Sequence, residues 1–432
     1  MSAARVAVSH LSTGDPAEVR AEVRRVIASV LGGDPDTMLS AAVPAGGTVV
    51  IKPNMVRHFN PAGPLSAVVT SPHVVRVLVE LAADAVGAGG RVIVADSPQN
   101  DCEFDALVAT AGWREVVAWA RAELGERFQL LDMRPEAVRM RNGIVVERRP
   151  LPGDPAGEVA VDLGDASAFH RSGIDHRRLR GSDYDPDVTV SSHADGRHVY
   201  SLCRTFVDAD LVVVVPKVKT HKKVGLSLGM KNLVGMVGDK NRLPHHTAGF
   251  PSTGGDEYPA RSPWTVARQW GVERGRRLLA RGQGVAVLQA LRKVERAALP
   301  DIPGRSGNWW GNDTAWRMVV DLVALVRSLR KDAGRPTVFV YDGIVGGQGN
   351  GPLAPLPVDL RLVGAADDPV AGDVAITRAL GLEPDDFPLL REAVARGVWG
   401  DGSRDATVER FGVPDRDGPR IELHPGWLRK PA

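Results

Sequence analysis

The 432-residue sequence predicts an α/β fold, a mostly parallel sheet flanked by helices, on two observations. Short β-branched runs recur along the chain, and segments with helical spacing of apolar residues fill the gaps between them. A run that is apolar at every position is buried on both faces, as in a parallel strand covered by helices, and regular alternation of the two element types argues for such a sheet.

RVAVSHL from Arg5 is the first strand, followed by a helix after Asp15 (PAEVRAEVRRVIASVL), where a capping residue precedes a proline at the first helical position. TVVIK from Thr48 and RVIVAD from Arg91 flank a helix after Ser71 (PHVVRVLVELAADAVGAG). LVVVVP from Leu211, TVFVYD from Thr337 and DLRLVG from Asp359 also read as buried parallel strands, with helices around Trp316 and after Asp368. From Leu151 to Arg197 the composition turns to Gly, Pro, Asp and Arg, an irregular excursion with room for a hairpin. From Pro263 to Arg296 a second stretch breaks the rhythm, with nine Lys or Arg counted from Arg261 against Glu273 and Glu295. Val287, Leu291, Val294 and Ala298 recur there at helical spacing, which predicts a basic amphipathic helix. Five of the nine tryptophans (Trp264, Trp270, Trp309, Trp310, Trp316) lie in or beside it and could build a lid, an interface or plain core. The expected organisation is an N-terminal α/β part over 1–150, the excursion over 151–200, a second α/β part over 201–400 with a helical insertion at about 260–315, and a polar tail over 401–432 with little structure of its own.

Charge excludes little: 54 Lys and Arg face 52 Asp and Glu, so a nucleic-acid partner has no support from the whole chain and any signal is local. Cys102 and Cys203 are the only cysteines and lie far apart, so no intrinsic iron–sulfur cluster or thiolate zinc site is expected. The N-terminus has no apolar leader core and no stretch has the length of a membrane span, so a soluble cytoplasmic protein is expected.

The chemistry-bearing residues gather at strand ends. LVVVVPKVKTH stops at Pro216 and releases Lys217, Lys219 and His221, which share one face if the backbone stays extended. Lys231 and Asn232 follow in a glycine-rich stretch where backbone approaches a ligand easily, and the group favours an anion. His221, with Lys219 and Lys231, is the catalytic candidate, since neighbouring cations favour the neutral imidazole that acts as general base. Lys52 and Asn54 leave a second strand end in IKPN, and Asp96 leaves a third in ADSP. The run YDGIVGGQGNGPLAP reads as a loop wrapping a ligand through Gly347, Gly349 and Asn350. Asp96, Asp342 and Asp373 are the candidate ligands of a divalent metal. His245 and His246, with Asp256 and Glu257 downstream, read either as further metal ligands or as an exposed loop. No GxxxxGK[ST] signature is present.

IKPN, TSPHVVRVLVELA, ADSP, VPKVKTH, MKNLVGMVGDK, DGIVGGQGNGP and DDPVAGD follow one another in an order that resembles the domain of unknown function 362 family, over roughly Val49 to Leu380. The resemblance implies a soluble bacterial or archaeal α/β protein and carries the family's characteristic positions onto Lys52, Asn54, Asp96, Lys217, Lys219, His221, Lys231, Asn232, Asp342, Asn350, Asp368 and Asp373. It implies no particular reaction. Many members have a ferredoxin-like cysteine segment, which this sequence lacks.

Two functions stand open. One is an enzyme holding a small carboxylate or phosphate at the strand-end lysines, with metal assistance. The other is a non-catalytic accessory or assembly partner of an iron–sulfur protein, docking through the basic Trp-rich insertion.

Overall fold

The computed structural model describes residues 3–110, 112–141, 144–181, 185–280, 304–400, 405–412 and 420–428. Its main sheet has ten strands: β1 (Arg5–His10), β2 (Thr48–Pro53), β3 (Arg91–Asp96), β4 (Phe128–Asp132), β5 (Leu211–Val215), β6 (Lys217–His221), β7 (Gly225–Ser227), β8 (Thr337–Gln348), β9 (Leu356–Ala366) and β10 (Thr407–Phe411). The order across it is β10-β1-β9-β8-β5-β2-β3-β4, with β6 and β7 extending from β8. Because β5 lies between β2 and β8, the 1–150 and 201–400 stretches contribute to one sheet.

The sheet is parallel from β8 through β4, and β10 is parallel to β1. The run from Asp359, expected to be parallel, instead lies in β9 and is antiparallel to both β8 and β1. The reason is the short connection after Gln348: only a crossover of a dozen or more residues can bring a strand back parallel, so a seven-residue link between β8 and β9 makes a hairpin.

Alternation along the buried strands divides their side chains between two cores. Val49 and Ile51 of β2 join α1 (Pro16–Leu31), α2 (Pro72–Val86) and α3 (Trp113–Leu124) on one face. Val50 of β2, with Val212 and Val214 of β5, packs on the other face against α6 (Ala315–Val326) and α7 (Pro369–Ala379). The predicted starts hold: Asp15 accepts from the Ala17 and Glu18 amides, and Asp368 from Val370 and Ala371, each before a proline that has no amide to satisfy.

The excursion over 151–200 contains an antiparallel pair, Glu158–Asp162 with Val199–Cys203, and a helix, Pro186–Ser192. The C-terminal stretch departs from the expected tail. β10 adds to the sheet edge, and Trp427 is buried, stacks on Phe387 and donates its indole N–H to Lys222 O, so apolar anchors outweigh the polar composition around them. In the insertion, the helix α5 (Pro263–Ala280) exposes Trp264 and Trp270, whereas Trp309 and Trp316 are buried. Val287, Leu291, Val294 and Ala298 lie outside the described residues. No helix among the described residues is long and apolar enough to cross a membrane.

Lys217 of β6 and Asp342 of β8 form a fully buried ion pair at 2.9 Å, and Asp342 also accepts from the Ser71 amide at 2.6 Å. Breaking a buried pair from one side leaves an uncompensated charge, which costs about 3–5 kcal/mol. Urea unfolding is expected to show that loss for Lys217→Met and recovery of most of it in Lys217→Met/Asp342→Leu.

Candidate functional site

Beyond the carboxyl ends of β2 and β3, where open α/β sheets place their ligands, lies a cavity of about 450 Å³. Among the described residues its wall carries eight Lys or Arg side chains and two carboxylates, Asp96 and Glu257. It is therefore a site of strong positive potential inside a low-dielectric surround.

Each lysine is held differently. Lys52 forms an ion pair with Asp96 Oδ1 at 2.7 Å and donates to Pro53 O at 2.8 Å and Asn232 Oδ1 at 3.1 Å. Burial lowers its pKa, with Asp96 opposing. Asp96 accepts the Met55 amide at 2.6 Å through its other oxygen, so the carboxylate is braced by the backbone that follows β2. Lys219 reaches Asn54 Oδ1 at 3.2 Å and Val68 O; burial, then the charge of Lys217, push its pKa well down. Lys240 donates to Ser97 O, Ser97 Oγ and Pro98 O. Burial lowers its pKa to about 7, but three acceptors around one nitrogen suit the ammonium form.

Lys231 is the exception. It sits on a single helical turn, α4 (Gly229–Asn232), and its amine meets no hydrogen-bond acceptor or carboxylate among the described residues. Burial, then the charge of Lys52, bring its pKa to about 8. The start of α4 is clamped by Asp373, which accepts the Gly229 and Met230 amides at 2.7 and 3.0 Å and the Tyr341 hydroxyl at 2.7 Å. Burial raises Asp373 to about 7 against those three donors. Asn232 turns its Oδ1 to Lys52 and leaves its buried Nδ2 without a partner among the described residues.

The histidines are oriented by the backbone. His221 Nδ1 accepts the Lys223 amide at 3.1 Å, so the hydrogen of the neutral ring sits on Nε2. Burial, then Lys231, keep the ring neutral. His221 thus offers the cavity an N–H donor, whereas the general-base role expected of it needs a lone pair at that nitrogen. His245 is the reverse: its Nδ1–H donates to Leu243 O at 2.9 Å, placing the lone pair on Nε2, and burial lowers its pKa to about 3.

Of the residues expected at the site, Lys52, Asn54, Asp96, Lys219, His221, Lys231 and Asn232 line this one cavity. Lys217 acts on Lys219 through its charge but is spent on Asp342. Asp96, Asp342 and Asp373 do not converge. They hold Lys52, Lys217 and α4 respectively, and no group of three His, Cys, Asp or Glu among the described residues is arranged to hold a metal ion. Gly347, Gly349 and Asn350 do not line the cavity either. Gly347 lies within β8, paired to both β6 and β9, and a Cβ there would press on Ala67 O and Lys219, so this glycine admits close backbone approach. Gly349 donates its amide to Glu422 O, and Asn350 is exposed in the hairpin turn.

Other wall residues have only faint signals in the sequence. Ser97, Glu257 and Lys223 come from loops, Lys240 from the short 3-10 helix Lys240–Arg242, and Arg268 and Arg305 from the insertion. His245 and His246 are buried in the wall, not exposed, while Asp256 is used up on the Thr247, Asp313 and Thr314 amides. The order of polar residues around the Leu211 strand was the one usable cue, since a ligand beyond one strand end also meets the loops of its neighbours.

The model of the domain of unknown function 362 family (DUF362) matches residues 49–129 and 135–378. The chain belongs to the DUF362 family. Every cavity residue named above falls inside the matched stretches, which fits a site built from the DUF362 core rather than from the flanking β1 and β10. A thylakoid-associated protein of Synechocystis is 24% identical over 264 residues, and this DUF362 chain spans 60% of that relative's length. Among solved structures, a Thermotoga maritima protein aligns over 80% of this chain and 54% of its own at 8% identity and a TM-score of 0.33. The lactate racemase apoprotein of Thermoanaerobacterium thermosaccharolyticum aligns over 54% of this chain and 39% of its own, at 12% identity and a TM-score of 0.26. Neither alignment bears on how the DUF362 cavity works.

Asp373 touches two amides of α4 and none of the cavity, so its role is to position Lys231 and Asn232. Asp373→Ala is expected to speed amide hydrogen exchange across Gly229–Asn232 at least tenfold while leaving β2 and β3 protected.

Proposed function

We propose that the cavity binds a small anion bearing carboxylate or phosphate groups and that the protein is an enzyme acting on it. The observation that carries this reading is Lys231: a buried amine, inside a wall already rich in cations, for which no described side chain or carbonyl serves as acceptor. Burying an ammonium group costs several kcal/mol unless a partner compensates. An anionic ligand would supply that partner and would use the unmatched Nδ2 of Asn232 as well.

The same groups suit chemistry. Lys52, paired with Asp96, is a cation placed to stabilise charge developing on a substrate oxygen, Lys219 is a held hydrogen-bond donor beside it, and His221 adds a neutral N–H donor without needing to rotate. Lys231 exchanges its proton near neutral pH, the range in which a general acid or base works best.

Isothermal calorimetry with inorganic phosphate, pyrophosphate and malonate tests the binding. At pH 7 at least one is expected to bind, and Lys231→Met to weaken it at least tenfold, about 1.4 kcal/mol. Lys331→Met, at an exposed position outside the cavity, is expected to change affinity less than twofold. Lys231 is charged below its pKa of about 8, so affinity is expected to fall as pH rises from 7 to 9. Failure of all three anions to bind would overturn the reading.

A further inference from the structure

We infer that Lys231 is a nucleophile that condenses with the carbonyl group of an anionic aldehyde or ketone, of which 2-oxo acids are the simplest class, to form an imine inside the cavity. The inference rests on the anion-binding reading and adds a reaction to it.

Two requirements separate an imine-forming lysine from an ordinary one, and both are met here by geometry. The first is that nothing holds its proton. Lys52, Lys217, Lys219 and Lys240 each donate to oxygen atoms, whereas Lys231 faces no acceptor among the described residues, and Lys52 is the charge that acts on it most. Removing a proton from Lys231 relieves both the burial of an ammonium group and a like-charge repulsion, which is the usual route to an amine that is partly free base at neutral pH.

The second requirement is that the carbonyl be held and polarised beside the amine. The carboxylate of a 2-oxo acid has a cationic wall to bind, the Nδ2 of Asn232 is an unmatched donor next to Lys231 in sequence, and His221 contributes Nε2–H. Lys231 and His221 line the same cavity. The step balances within substrate and lysine. The Nζ lone pair attacks the carbonyl carbon, the C–O π bond opens, and the carbinolamine loses its oxygen as water together with the two amine hydrogens, leaving a C=N bond. No oxidant or further reactant is needed. If the imine takes up a proton, the substrate's own anionic group offsets the charge.

Glyoxylate, a two-carbon anionic aldehyde, is the probe. Full-length protein is treated with glyoxylate and cyanoborohydride at pH 7.5, and carboxymethylated lysines are followed by peptide mass spectrometry. With a pKa of about 8, roughly a quarter of Lys231 is unprotonated at this pH, against about one in a thousand for an ordinary lysine. Lys231 is therefore expected to be labelled at least tenfold faster than the exposed Lys331, and excess pyrophosphate to suppress that labelling alone. Lys231→Arg, which keeps a cation but no nucleophile, is expected to retain pyrophosphate binding and lose the adduct. Labelling of Lys231 no faster than Lys331, or preferential labelling of another cavity lysine, would overturn the inference. If pyrophosphate binds and Lys231 stays unlabelled, the imine falls and the anion reading stands. If pyrophosphate does not bind and Lys231 is not labelled, both fall.

Discussion

Burial of ammonium groups is the constraint around which the rest of this structure is arranged. Lys52, Lys217, Lys219, Lys231 and Lys240 are each at most 8% exposed, and every one carries a desolvation cost that its surroundings must meet. Among the described residues, two of the five have a carboxylate within ion-pair distance: Asp96 for Lys52 and Asp342 for Lys217. Lys219 and Lys240 are met by carbonyl, amide and hydroxyl oxygens. Lys231 is left over. On the anion-binding proposal, that incomplete compensation is the source of affinity, because a ligand would gain the interaction the fold has withheld.

Meeting those costs also divides the polar residues into scaffold and site. The Lys217–Asp342 pair ties β6 to β8 and, through Ser71, to the start of α2, so it stitches the two halves of the sheet beneath the cavity floor. Asp373 works in the same way from the opposite core, anchoring one turn of helix to Tyr341 so that Lys231 and Asn232 are presented at a fixed angle. Neither carboxylate reaches the cavity, yet the placement of the groups that do depends on both. The sheet and its helices thus act as a frame in which Asp342 and Asp373 serve the scaffold and not the cavity.

The wall opposite the strand ends comes from segments that break the α/β rhythm. The loop carrying His245 and His246 pairs with the excursion through Arg180 and Leu179, and the insertion brings in Arg268 and Arg305. Asp256 fixes this side by gathering the Thr247 and Thr314 amides, which joins the histidine loop to the entrance of α6. The cavity thus has a common strand-end core and a facing wall of less regular segments.

Much of the frame was legible in the sequence because its signals are local. Fully apolar runs, proline after a capping aspartate and a strand halted at Pro216 each report on a few consecutive residues, and they located seven residues of the cavity, Lys52 and Lys231 among them. What escaped depends on pairing between distant segments. Lys217 and Lys219 have the same type, spacing and burial, and only the three-residue irregularity in β8 between Asp342 and Gly347 gives one an ion pair and the other a place in the wall. The glycine run after Asp342 has a composition suited equally to a ligand loop and to a tightly crossed hairpin, and the crossing of Thr220 over Gly351 chooses the hairpin. Whether His221 gives or takes a hydrogen bond turns on one backbone amide. By itself, then, the sequence determined which chemical groups leave the strand ends, since periodicity is a property of neighbours along the chain. The tertiary structure decided which of those groups are neutralised and which face the cavity, since charge is compensated by contacts between segments tens to more than a hundred residues apart.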